Sequence, residues 1–242
     1  RFTVSPSGAP LQTAALAGVR VTWQRLQFTK ARNYSRLGRV EDIPIGGTLT
    51  LSVGGGARAL ANDHDELRPT ASYRYSRAVG AHSFVEMDTT ARVPYVIRNG
   101  RDGTRGVQNV QLAGSARMFI RGGDSRALIC RAHAASLGRT TRDLNLLLDR
   151  RNGVRGYSSR SFDGTRRIVL NAEARQVVWT NSYLVTQAAA FADVGYVWWD
   201  AFDASDPKRS VGAGLRLGLQ RLAAPAVRAD MAYLFDTDPP EW

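Results

Sequence analysis

The sequence predicts an all-β fold, an antiparallel up-and-down transmembrane β-barrel, and three observations lead there. Apolar and polar residues alternate with period 2 through roughly ten segments. Those segments run to roughly 9 to 13 residues, a length that crosses a bilayer at a tilt, whereas strands of soluble sheets cluster near 5 to 6. Tight turns alternate with long loops between them, as in barrels that keep their short turns on one side of a membrane.

The first segment surrounds Val19, Val21 and Trp23, and its phase slips after Arg25. The connection from Ala31 to Ile45 is long where a short turn is due. Leu49, Leu51 and Val53 then alternate with Thr48, Thr50 and Ser52, and Ala71, Tyr73 and Tyr75 with Ser72, Arg74 and Ser76. After the tight turn Ala78 to Gly80, Val85, Met87 and Ala91 oppose Glu86, Asp88 and Arg92. Val110, Leu112, Ala116, Met118 and Ile120 oppose Gln111, Ser115 and Arg117, and beyond Gly122 to Asp124 come Leu128, Cys130, Ala132 and Ala134 against Arg131 and His133. The last third is cleanest. Ile168, Leu170, Ala172 and Ala174 face away from Asn171, Glu173 and Arg175. Ala188 through Trp198 repeat the pattern against Gln187, Phe191, Asp193 and Gly195. Val211 to Leu219 oppose Ser210, Gly212, Gly214 and Arg216, and Val227 to Phe235 oppose Arg228 and Asp230. Tyr196, Trp198, Tyr233 and Phe235 sit near strand ends on the apolar phase, where an interfacial girdle belongs.

Composition narrows the function classes. No stretch approaches the ~18 apolar residues of a membrane-spanning helix, which leaves the closed barrel as the membrane structure able to satisfy its own backbone. The formal charge is +12, with Lys30 and Lys208 the only lysines. Arginine recurs along every strand and long loop instead of clustering with aromatics, which argues against nucleic acid and for a polar lumen and loops facing anionic lipid. Cys130 is alone, so no internal disulfide is available. Asn62 to Glu66 has hard-cation ligand types but not the spacing of a calcium loop, and the three histidines have no nucleophile beside them. No metal, cofactor or catalytic constellation is expected. No charged-then-apolar leader follows Arg1, and the chain reads as a fragment, with residues 1–242 one barrel portion and N-terminal periplasmic domains absent from it.

The most specific feature is Leu148-Asp149-Arg150-Arg151-Asn152-Gly153-Val154-Arg155-Gly156-Tyr157, within a long loop spanning 138–165. Glu173 and Asp193 fall on the polar phase of neighbouring segments, where an entering arginine meets two carboxylates within reach of its fork. The core Val154-Arg155-Gly156-Tyr157 resembles the (V/I/L)RG(F/Y) signature of the BamA/TamA superfamily of outer-membrane barrels and of the two-partner-secretion translocators. Phe191-Ala192-Asp193-Val194-Gly195 resembles that family's FxDxG strand, and Val211-Gly212-Ala213-Gly214-Leu215-Arg216 its GxGLR strand. Order and spacing match in all three.

The resemblance implies that the loop enters the lumen with Arg155 at its tip, held by Glu173 and Asp193. It also implies about ten of sixteen strands, the sixth to the fifteenth, truncated at both ends. As to function, it implies a channel of the bacterial cell outer membrane that assembles or translocates proteins, without nucleotide hydrolysis and without enzymatic activity. Its partners would be outer-membrane lipids, lipopolysaccharide included, and unfolded or secreted client proteins. A passive pore, or the barrel of an autosecreted patatin-type enzyme, shares the architecture and stands as the alternative.

Overall fold

The structure is a computed structural model that describes residues 17–34, 36–57, 64–80, 83–99, 105–140, 144–199, 202, 206–220 and 226–235. Every regular element among them is a β-strand. Ten strands follow one another as antiparallel neighbours: β1 (Ala17–Arg32), β2 (Val40–Gly56), β3 (His64–Ala78), β4 (Ser83–Arg92), β7 (Val110–Gly122), β8 (Arg126–Gly138), β11 (Arg166–Thr180), β12 (Leu184–Trp198), β13 (Lys208–Leu219) and β14 (Val227–Leu234). Two short strands, β5 (Tyr95–Asn99) and β6 (Gly106–Val107), extend the ladder from β3, and β9 (Leu146–Leu148) pairs with β10 (Phe162–Gly164) as a separate hairpin inside the long loop. The fold is therefore an antiparallel up-and-down sheet. Its end strands β1 and β14 are not paired with each other among the described residues.

Several strands outrun the alternating segments that announced them; β2 has 17 residues and β11 has 15. Backbone pairing continues past the apolar stretch because a ladder needs only N–H and C=O partners, not an apolar face.

Period 2 divides the side chains into two faces, and the apolar one is exposed. Leu215 is 54 % exposed, Val227 68 % and Met231 67 %, while Gln187, Asp193 and Ser210 on the opposite phase are buried. A soluble barrel has the reverse arrangement, with its apolar phase packed inside. The polar phase here is buried by chain segments that fold over it, and this is the inner face.

The phase slip in β1 has a local cause. Trp23 and Phe28 are both exposed on the outer face although their numbers differ in parity. Between them Leu26 pairs with Gly46, whose φ of 130° is open to glycine but strained for other residues. A Cβ on Gly46 would run into the carbonyl of Arg25. Both strands change phase there, so that Ile43 and Ala31 turn inward.

Those two residues join Phe84, Phe119 and Ile129 in a small apolar core at the short-turn end. Tyr34, from the β1–β2 connection, closes it: its ring meets Phe84 and Phe119 edge-on with centroids 5.0 and 5.2 Å away. The same connection crosses the inner face to the far strands. Leu37 lies against Gly218, Gly38 against Val185, and Arg39 Nη2 donates to the Gln220 carbonyl at 2.9 Å. The sheet is curled enough for its first turn to touch β12 and β13.

Candidate functional site

The loop between β8 and β11 folds back over the inner face of β11 to β14. Its shape is set by Asp149, which is almost completely buried. One carboxylate oxygen accepts from the backbone N–H groups of Arg151 and Asn152 at 2.8 and 2.9 Å and from the Asn152 side chain at 2.8 Å. The other accepts from the Arg160 N–H at 2.8 Å. Burial pushes the Asp149 carboxyl up, but these hydrogen bonds together outweigh it and hold it below the ordinary aspartate value. Gly153 and Gly156 take φ of 129° and 95°, and between them the chain presents Val154 and Arg155 to the sheet.

Arg155 meets both carboxylates named for it. Nε and Nη2 donate to the two oxygens of Asp193, each at 2.7 Å, a bidentate fork, and Nη1 donates to Glu173 at 2.5 Å. The backbone N–H of Arg155 adds a third bond to Asp193 at 3.1 Å. The guanidinium lies 3.6 Å above the centre of the Phe191 ring, whose π face is favourable to a cation. Burial lowers the Arg155 pKa and the bonds to Asp193 and Glu173 more than restore it, so the group stays charged. Asn171 fills the remaining valence of Asp193 at 2.7 Å and with the same amide reaches the Gly153 carbonyl at 2.6 Å.

The glycines of the two flanking motifs are seats for this assembly. A Cβ on Gly195 would lie 2.7 Å from both Leu148 and Val154, so the loop packs directly on the bare backbone of β12. A Cβ on Gly212 would enter the Phe191 ring, and one on Gly214 would meet the Asp230 carboxylate. Arg216 Nη2 donates to Glu173 at 2.9 Å. Tyr157 is buried, its ring edge-on to Phe162 with centroids 5.3 Å apart and its hydroxyl 3.3 Å from the Arg209 carbonyl. Of the eleven residues singled out in the sequence, Val154, Arg155, Gly156 and Tyr157 belong to the loop and the other seven lie on β11, β12 and β13.

Other participants left a weaker trace in the sequence. Arg175 donates to the second oxygen of Glu173 at 2.6 Å, and Asn171 ties loop to wall, yet both read there only as polar-phase residues. Asp149 had a local sign in the run Asp-x-x-Asn-Gly, since an aspartate capping backbone two and three residues on is the usual Asx turn. Tyr34 had none, because its partners Glu86 and Arg117 lie on distant strands.

The arrangement clamps the loop against the strands beneath it. Among the described residues no three His, Cys, Asp or Glu side chains are placed to share a metal ion; Asn62 and Asp63 lie outside the described residues. No protein-family model matches the chain, and no curated protein matches its sequence.

Proposed function

We propose that the chain forms the wall of an outer-membrane β-barrel of the BamA/TamA type, which inserts proteins into the bacterial outer membrane or passes them across it. The observation that carries the reading is the Arg155 fork: a loop pinned by one arginine to two carboxylates on the inner face of a sheet whose outer face is apolar. The exposed Leu, Val, Met and aromatic side chains fit a hydrocarbon surround. A monomer in water rarely leaves a contiguous apolar patch of more than roughly a few hundred Å² uncovered. Trp179 and Tyr183 at one end and Trp199 and Phe202 at the other are exposed aromatics at opposite strand ends, as two interfacial belts require.

In this reading Arg155, Gly156 and Tyr157 hold the loop as a fixed part of the lumen, and no nucleotide or metal is consumed. Lipopolysaccharide and unfolded or secreted clients are the partners. Two measurements test it together in the source bacterium: membrane fractionation of the wild-type protein, and the yield of folded outer-membrane and secreted proteins in an Arg155→Ala strain. The expected result is outer-membrane recovery and a several-fold fall in at least one folded or secreted client. Recovery in the soluble fraction, or unchanged client levels in a strain whose loop is shown to be released, overturns the proposal.

A further inference from the structure

The inner face has an arginine row that the loop does not use. Arg117 on β7 and Arg131 on β8 are direct cross-strand partners, and both point inward. Like charges placed opposite each other on adjacent strands destabilise a sheet, so such a pair needs a counter-charge. Arg117 has one in Glu86, at 3.3 Å, and also donates to the Tyr34 hydroxyl. Arg175, on β11 beyond Arg131, has Glu173 at 2.6 Å and the Tyr34 carbonyl at 3.1 Å. Arg131 stands between them, exposed on the inner face, and makes no hydrogen bond or ion pair with any described residue. Its neighbours each have an acid in ion-pair contact, and among the described residues Arg131 has none that close.

A polar cavity begins one step along the inner face, and Arg131 itself is not part of its lining. Ser115 and His133, two positions along the same faces of β7 and β8, line this cavity of about 560 Å³ with Thr48, Thr50, Arg74 and Asp88.

We propose that Arg131, flanked by Arg117 and Arg175, is an oxyanion seat in the lumen that takes a phosphate or carboxylate group. A planar guanidinium presents paired donors that match either group bidentately, whereas chloride uses only its charge. The two flanking arginines add attraction without competing for the ligand, because each is already held in place by its own acid and by Tyr34. The group is supplied either as free phosphate or as the side-chain carboxylates of an acidic peptide segment, and the seat does not depend on which client the barrel serves.

The test uses the full-length protein folded in detergent micelles, titrated with inorganic phosphate at constant ionic strength against chloride and followed by ³¹P line broadening. Heat-modifiable gel mobility verifies that each variant is folded. Saturable binding is expected in the wild type, at least tenfold weaker in Arg131→Gln, intermediate in Arg131→Lys, and unchanged in Arg20→Gln, an exposed arginine of β1 outside that cavity. Competition by tetra-aspartate would assign the seat to chain-borne carboxylates, and no competition to free phosphate; both outcomes support it. Absence of saturable binding in the wild type, or equal binding by folded Arg131→Gln, overturns it.

Discussion

Arg175 and Tyr34 are 141 positions apart in the chain, yet the guanidinium of one donates to the carbonyl of the other at 3.1 Å. Through its Nε the same arginine holds Glu173, which in turn holds Arg155. The two segments that cross the inner face, the β1–β2 connection and the long loop, therefore share one ion network. Arg175→Ala is expected to loosen both. Limited proteolysis of the folded protein should then cut within residues 33–39 and within 139–165 faster than in wild type, by roughly tenfold or more for the ~2 kcal/mol or greater cost of leaving a buried carboxylate half-paired. Faster cutting confined to one segment would show that the network does not couple them.

Arg155 itself carries the larger effect. Removing one partner of a buried pair typically costs about 3 to 5 kcal/mol, much of it from the charges left stranded. Arg155→Ala leaves two carboxylates in place of the present fork, and Arg155→Lys supplies charge without paired donors. Unfolding titrations in liposomes should place both variants well below wild type, with Lys recovering less than half of the loss. Full recovery by Lys would mean that the fork geometry contributes nothing.

The two faces of the sheet make opposite demands on the same residue type. Leu215→Arg puts a cation on the exposed apolar face, which near a bilayer midplane costs about 2 to 4 kcal/mol. Arg74→Leu removes an exposed inner-face arginine of β3, and is expected to be mild. Arg216→Leu removes an inner-face arginine that is buried and bound to Glu173, so its loss should cost more than that of Arg74. Folding yields of the three variants in liposomes rank them. Equal yields for Leu215→Arg and wild type would place that face in water.

Acid should release the loop through Asp149. Its carboxyl titrates below the ordinary aspartate value of about 3.9, so the stability it contributes is complete above that pH and is lost as pH falls through the depressed folded value. Pepsin, active in that range, should begin to cleave the loop below about pH 4 in wild type. Asp149→Asn, which cannot accept with two equivalent oxygens, should be cleaved by a neutral-pH protease already at pH 7. A pH profile identical in wild type and Asp149→Asn would assign the acid sensitivity to other groups.

How much of this was legible in the sequence follows from the range of each interaction. The faces of β12 and β13 could be read directly, because alternation is a local property and every outward Ala, Val or Leu reports it. The partners of Arg155 could be named because the motif resemblance points to Glu173 and Asp193, and the shared polar phase of the two on adjacent strands agrees with it. The path of Asn33 to Arg39 across the inner face could not, since it depends on the curl of the whole sheet bringing Gly218 and Gln220 to a turn near the other end of the chain. Nor could the short strands β9 and β10, three residues each, which are too brief to show a period. The phase slip in β1 was visible, but its cause, a positive-φ glycine on the partner strand, required the register.

Gly156 lies bare against Leu234 and Ala232 of β14, Val154 against Gly195 of β12, and the Tyr157 hydroxyl against β13. Every one of those surfaces is made of residues that leave the ribosome after the loop does. The loop is thus synthesised before its berth exists, and it can dock only when three later strands have been laid side by side. Chain order and docking order run in opposite directions, which makes the seated arginine a molecular receipt for a finished wall.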